Sequence, residues 1–380
     1  VSGGDPLSGV RVAIPARRGR VDGSARWLTP LVLAGVAVVL TVALSGRPAL
    51  AYPTTQRPLT ACDFTAARIG WAVGDKEVVI RTVTGGRLWH RQRSGGVSGA
   101  RLRDVSFADH YHGWIVGRGG VVLATTNAGG VWQRQDAGVA ADWRGVVAVA
   151  LEEAVAVGWT GSGDDVTGTI VRTDDGGASW EVTASLPGVR LHDVDFSDEL
   201  RGWAVGSRIV DVAGSDDQQA LLLETLDGGL TWSERGGPDA LGFEETSSST
   251  LFAVESRGTT RVWCAGRLGP IGAARGFVAR STDGGATWQT MRSGRFTSFR
   301  GISFGSSTRG CVVGIGAGSQ VVRTKNGGET WQRRALPAGT RARAVDMVSG
   351  THGWVVGDAS GHKGLVARTT DGGATWSRRR

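Results

Sequence analysis

One octet recurs seven times along this chain, and that repetition limits its fold more than any other feature. The last copy is Thr369-Thr370-Asp371-Gly372-Gly373-Ala374-Thr375-Trp376; earlier ones end at Trp89, Trp132, Trp180, Trp232, Trp288 and Trp331, at intervals of 43 to 56 residues. A period of that size implies a solenoid or a propeller. Asp175, Asp227 and Asp283 hold the Asp place upstream, and Asn326 replaces it once. The first two copies have drifted, with Thr84 in the Asp place and Asn127-Ala128 for Asp-Gly.

The octet reads as a self-bracing hairpin turn. Asp or Asn can accept hydrogen bonds from backbone N–H groups two or three residues on, while the Gly pair supplies positive-φ positions. The closing Trp is expected to begin the next strand and to pack its large apolar ring between neighbouring sheets.

Three further strands precede each octet. An L-x-x-V-x-F segment opens the units at Leu59, Leu102, Leu191 and Phe299, with looser versions at Trp143, Leu251 and Ala342. A GWAVG-like segment follows at Gly70, Gly113, Gly202 and Gly353, degraded at Ala154, Val262 and Gly310, and a VVIRT-like segment then runs into the octet. Seven such units predict an all-β, seven-bladed β-propeller with four-stranded blades over residues 59–380. The blades fall near 59–93, 102–136, 143–184, 191–235, 250–292, 299–334 and 342–380. Every blade runs from its first strand to its fourth, so none needs a borrowed strand to close the ring. Residues 47–58 read as a linker whose end could lay a short strand on the first or last blade.

The chain's 61 glycines and 15 tryptophans suit short strands and turns. Its net charge of +8 favours acidic partners, but the basic residues are scattered and form no track for nucleic acid. Ahead of the repeats, residues 1–26 are rich in Arg and Gly, and residues 27–46 run without a charge. At ~1.5 Å per helical residue that stretch matches a ~30 Å hydrocarbon core. It is expected to be a transmembrane anchor with the Arg-rich tail inside and the propeller outside. Cleavage after Ala51, in Ala49-Leu50-Ala51, would instead give a secreted protein.

The octet's spacing resembles the Asp-box, or BNR, repeat. From Leu59 to Arg380 the combined pattern resembles the photosystem II stability and assembly factor propellers and their relatives in bacteria without photosystems. That resemblance implies a non-enzymatic propeller outside the cytoplasm that aids assembly of a membrane protein complex through a basic surface. The partner would be that complex or another extracytoplasmic protein. The chain is expected to be monomeric, without cofactor or metal.

Asp boxes also occur in sialidases and other glycoside hydrolases, so a carbohydrate-active propeller, glycan-binding or hydrolytic, is the alternative. A sialidase needs a Tyr nucleophile. The two tyrosines are Tyr52, beside the apolar stretch, and Tyr111, in a first-to-second-strand loop. A two-carboxylate enzyme could draw on Asp164, Asp165, Asp216, Asp217 and Glu244, which otherwise read as solvated loop residues. His110 and His112 have a metal pair's spacing, yet His112 holds a repeat position shared with Arg201, Arg309 and His352. Cys62, Cys264 and Cys311 read as small buried thiols, with no disulfide expected.

Strand alternation puts the octets on one face, here the bottom, and the second-to-third-strand connections on the top. The segments after Val157, Val205 and Ala265 are expected as long, variable loops, which makes the top the working face. Blades 3 and 4 supply it with acids (Asp164, Asp165, Asp211, Asp216, Asp217, Glu244, Glu245) and blades 5 to 7 with bases (Arg267, Arg275, Lys363). The second residue of the first strands is Arg103, Arg144, His192, Arg300 and Arg343 in five blades, and Thr60 and Phe252 in the others. These side chains are expected to form a basic ring at the mouth of the central channel, suited to carboxylate or phosphate. The competing expectation is local pairing, such as Arg103 with Asp104.

Overall fold

The computed structural model describes residues 55–379 except 97–98, 213–214, 245–247, 271, 293–295, 317, 319 and 360–362, and only the backbone of 211–212 and 215–216. The expected tail, anchor and cleavage site lie outside these residues, as does Glu245. Among the described residues no helix is long and apolar enough to cross a membrane.

Seven four-stranded antiparallel sheets each take four consecutive strands in order, giving a seven-bladed propeller. The first strands are Leu59–Asp63, Leu102–Phe107, Asp142–Ala148, Val189–Phe196, Ser249–Arg257, Ser298–Phe304 and Arg341–Asp346. Each contacts the first strands of the blades on either side, and the last contacts the first, so they form the innermost ring. Among the described residues no strand is shared at the closure. The linker contributes one backbone bond there, from Gly364 N to Thr55 O at 3.0 Å.

The GWAVG-like segments of the second strands are apolar and buried because both of their faces are covered by neighbouring blades. One cluster joins Ala61, Trp71 and Val73 of blade 1 to Leu102, Val105 and Phe107 of blade 2. In that seam Trp71 stacks on Phe107 at 3.6 Å, and Trp132 meets the same Phe edge-on at 5.8 Å. Trp263, Phe304 and Trp331 repeat the arrangement. The depth order differs from the sequence expectation. The second-strand tryptophans Trp71, Trp263 and Trp354 are fully buried, whereas Trp89, Trp180, Trp232, Trp288, Trp331 and Trp376 are half-buried and only Trp132 is buried among the octets. Each octet Trp also precedes its fourth strand instead of starting it.

The Gly that opens the second strand answers to the Phe that ends the first. A Cβ at Gly70 would meet the Phe64 ring at 2.2 Å, and one at Gly202 would meet Phe196 at 2.5 Å. Where the first-strand residue is smaller, as at Ala148 and Ser256, the second strand opens with Ala154 and Val262.

The octet turns brace themselves one residue further along than expected. Asp175 Oδ1 accepts from Ser179 N at 3.0 Å and Oδ2 from Ser179 Oγ at 2.6 Å, four residues on. Thr173 Oγ1 donates to Asp175 and accepts from Gly177 N. The drifted copies keep the key bond: Val131 N donates to Asn127 Oδ1 and Leu88 N to Thr84 Oγ1, both at 2.8 Å. Hydroxyl and backbone donors hold Asp175 and Asp283 down to about 2.

Acceptors on the first strands clip one blade to the next near the axis. Phe107 N donates to Asp63 at 2.6 Å, Ser256 N to Asp195 at 2.6 Å, Met347 N to Ser303 Oγ at 3.0 Å, and Phe64 N to Asp346 at 2.7 Å, which closes the circle. Burial pushes Asp104 and Asp195 up to about 6 and Asp346 up to about 7.

The connections expected as long loops in blades 3 and 4 are extended hairpins. Ala154–Ser162 pairs with Asp165–Thr173, and Gly202–Val212 with Ser215–Thr225. Their Gly, Ser and Asp residues concealed a continuous ladder.

Candidate functional site

The pairing of first with second strand skips one residue in every blade, and that residue is always the second of the L-x-x-V-x-F motif: Thr60, Arg103, Arg144, His192, Phe252, Arg300 and Arg343. A bulge of this kind leaves a residue out of the ladder and re-aims its side chain. The Gly that closes the second-strand motif makes it possible. A Cβ at Gly74, Gly117, Gly158, Gly206, Gly266, Gly314 or Gly357 would stand 2.0 to 2.6 Å from a carbonyl oxygen of the bulged strand. All seven second residues line one cavity of ≈ 790 Å³ at the top of the channel.

The guanidiniums there fall into two kinds. Arg343 Nε bonds Asp358 at 2.9 Å, and Arg144 bonds Asp142 at 2.7 Å while lying over Trp159, 4.2 Å from its centroid. Arg300 pairs with no carboxylate among the described residues. It lies 3.6 Å over Phe252, and its Nε donates to Ser298 Oγ. Arg103 does not pair with Asp104, whose carboxylate accepts from Val146 N at 3.0 Å. Its Nε is buried with no hydrogen-bond partner among the described residues. Burial, then Arg144, brings Arg103 down to about 10, and burial, then Arg267 and Arg144, does the same to Arg300. Both remain cations at neutral pH.

His192 shares the ring's place but not its charge. Burial and the nearby Arg144 and Arg300 hold its pKa well below the usual histidine range. It is therefore neutral and adds an aromatic surface between Trp159 and Phe252. Thr60 turns its hydroxyl to the carbonyls of Val73 and Leu102.

A second tier stands around the mouth, of which sequence reasoning named only Arg267. Trp159, Arg267, Ile315 and Asp358 each follow the closing Gly of a second strand, so one repeat offset would have found them. Asp358 is the lone carboxylate among the lining residues, 1% exposed and engaged by Arg343 and Arg341.

The remaining candidates do not join this cavity. Asp164, Asp165 and Glu244 are exposed, Arg275 and Lys363 likewise, while Arg267 is half-buried. His110 Nδ1 meets Thr65 Oγ1 at 2.7 Å and His112 pairs with Asp109, on the octet side. Among the described residues no group of three or more His, Cys, Asp or Glu could hold a metal. Cys62, Cys264 and Cys311 are free thiols, with Cys264 and Cys311 buried in separate clusters.

Comparison with known proteins bears on fold and family. The sequence model of a family described as photosynthesis system II assembly factor YCF48 matches residues 48–187 and 287–380, more than half of the chain. No curated protein sequence matches it. Among solved structures, "YCF48 bound to D1 peptide" is 21% identical with a TM-score of 0.60, covering 83% of this chain and 94% of that one. YCF48 from Cyanidioschyzon merolae is 18% identical at 0.58, covering 83% and 96%. The GH74 xyloglucanase from Xanthomonas campestris is 14% identical at 0.57, and this chain covers 52% of its length. At these identities the structural matches speak for the propeller fold alone.

Proposed function

Since this chain belongs to the photosynthesis system II assembly factor YCF48 family, we propose that it is a non-enzymatic binding propeller that takes a carboxylate-bearing segment of a membrane protein at its channel mouth and aids assembly or stability of a membrane complex. The observation that carries this reading is the convergence of Arg103, Arg144, Arg300 and Arg343 on one cavity whose sole carboxylate is already engaged. Guanidiniums in a concave, partly desolvated site focus positive potential and suit bidentate capture of carboxylate. Phe252 and Trp159 hold two of these cations face-on, which limits the side-chain freedom lost when a ligand binds.

A solved relative is described with a D1 peptide bound, which agrees with a peptide as the ligand class. A hydrolase of the two-carboxylate kind would need a second acid at the mouth, and Asp358 has no such companion among the lining residues. The uncharged run at 27–46 supports a tether with the propeller outside the cytoplasm. Cross-linking in intact cells, followed by capture on a C-terminal tag, tests the reading. A membrane-complex subunit supports it; a polysaccharide would favour the carbohydrate-active alternative.

A further inference from the structure

The blades act as controls for one another, and blade 4 carries three exposed leucines at its octet end where blades 5 to 7 carry none. Leu200, Leu226 and Leu230 are 59%, 50% and 50% exposed there. In the place of Leu200, blades 6 and 7 carry Thr308 and Thr351. In the place of Leu226, blades 5 to 7 carry Thr282, Lys325 and Thr370, and in that of Leu230 they carry Ala286, Glu329 and Ala374. The octet turn forms the same Ser/Thr-to-Asp/Asn bond in all of these blades. Leucine at these positions is therefore not required by the fold, and exposing it costs solubility.

The three leucines do not stand alone. Leu200 and Leu226 line one cleft of ≈ 770 Å³ floored by Phe196 and Val149. Leu151 in the adjacent blade is also exposed, and Arg172 of that blade bonds Gly228 O of the blade 4 turn at 3.0 Å, which ties the two blades together. Of the large exposed apolar side chains among the described residues, all but Ile315 belong to blades 1 to 4. Charge is distinctive here too. The chain as a whole is basic, yet Asp198 and Glu199 are exposed along this cleft, Asp174 is held near the blade 4 turn by Arg172, and Arg201 is the one basic residue lining the cleft.

We propose that this cleft docks an amphipathic, basic segment of a partner protein, with its apolar side chains on Leu200 and Leu226 and its Lys or Arg side chains toward Asp198 and Glu199. An anionic membrane surface would meet like charge, and a glycan would leave the leucines unused. Complementary charge fixes the segment's orientation while the apolar contacts supply most of the affinity. This surface lies at the end of the propeller away from the Arg-lined mouth, so the two sites can be occupied together.

The test uses the full-length chain in intact cells, with the photo-cross-linker p-benzoylphenylalanine replacing Leu200 or Leu226 and, as control, Thr308. The proposal expects adducts from both test positions to one segment of one partner, bearing Lys or Arg alongside apolar residues, with none from the control. Adding Leu200→Thr with Glu199→Lys should abolish the adduct from position 226 with the melting temperature unchanged, since blades 6 and 7 already carry Thr in the place of Leu200. Adducts to a second copy of this chain, to lipid or to an acidic segment would overturn it. So would equal labelling from position 308, an adduct that survives the double substitution, or no adduct at all.

Discussion

Phe64, at the end of the first blade's inner strand, stacks on Trp354 in the last blade's second strand, with centroids 3.7 Å apart and planes 6° from parallel. These residues seal the ring. The Trp354 indole also donates to Gly85 O at 3.4 Å, and Phe64 N donates to Asp346 at 2.7 Å, so these contacts join the linker bond and a shared apolar cluster in holding the seam that chain connectivity does not. Trp354→Ala should cost ~3–5 kcal/mol, the range for emptying a buried aromatic site. Trp376→Ala, at a half-buried octet position, should cost clearly less. Urea denaturation of the two variants side by side checks the order; equal losses would contradict the depth assignment.

The pairing of Gly with Phe across first and second strands predicts a rescue. Gly202→Ala drives a Cβ into the Phe196 ring and should destabilise by about 1–3 kcal/mol through overpacking. Adding Phe196→Ala recreates the Ala148 and Ala154 combination of blade 3, so the double variant should lose less than the two single losses added together. A double-mutant cycle measures the difference. Strict additivity would argue that the contact does not constrain the pair.

Stability should depend on pH in two opposed ways. Asp104, Asp195 and Asp346 have folded pKa values raised to about 6, about 6 and about 7 by burial, above the ordinary aspartate range. Their contribution is full below about pH 4 and is lost as pH rises toward 7, by ~1.4 kcal/mol per pH unit for each proton more that the folded state holds. Asp175 and Asp283, lowered to about 2, act oppositely: their contribution is present above about pH 4 and lost as pH falls toward 2. A melting-temperature maximum near pH ~4 follows, and Asp346→Asn should flatten the upper limb. A maximum above pH 7 would contradict the burial of these carboxylates.

Asp358 sets how much of Arg343's charge is available. Its carboxylate is 1% exposed and bonds Arg343 Nε at 2.9 Å, so Asp358→Asn should free a cation at the mouth. The expected outcome is tighter binding of an acidic peptide together with a lower melting temperature. Calorimetry and thermal unfolding on the same sample would show both, and weaker binding in a folded variant would argue that Arg343 needs the pair to be positioned.

The repeat made much of this readable in advance. Thr60, Arg103, Arg144, His192, Phe252, Arg300 and Arg343 could be named because a seven-fold offset places equivalent residues at equivalent points around an axis. What that offset does not carry is electrostatic context. His192 reads as a base in the sequence, but Arg144 and Arg300 come beside it only when blades 3, 4 and 6 meet at the mouth. The bond from Phe64 to Asp346 joins residues 282 apart and follows from circular closure, not from any local pattern. The bulge that aims the ring was signalled by the closing Gly of each second strand, which reads at first as a strand end and matters instead for the carbonyl lying over it. In blades 3 and 4, turn-forming composition hid ladders that pairing across the hairpin sustains.

The account's central claim is that the guanidiniums converging at the mouth bind an acidic peptide, and the most direct measurement is the affinity of the Arg103→Ala, Arg300→Ala, Arg343→Ala variant against the wild-type chain. The probe is a labelled synthetic peptide with several Asp and Glu residues and a free C-terminal carboxylate, titrated at low and moderate salt. Wild-type binding should weaken as salt rises, since the mouth is partly open and its charges are partly screened. The variant should bind at least ~10-fold more weakly at low salt, because each charged hydrogen bond removed is worth ~1.5–3 kcal/mol. It should also have a shallower salt dependence with its melting transition intact. Unchanged affinity and salt dependence in a folded variant would contradict the claim.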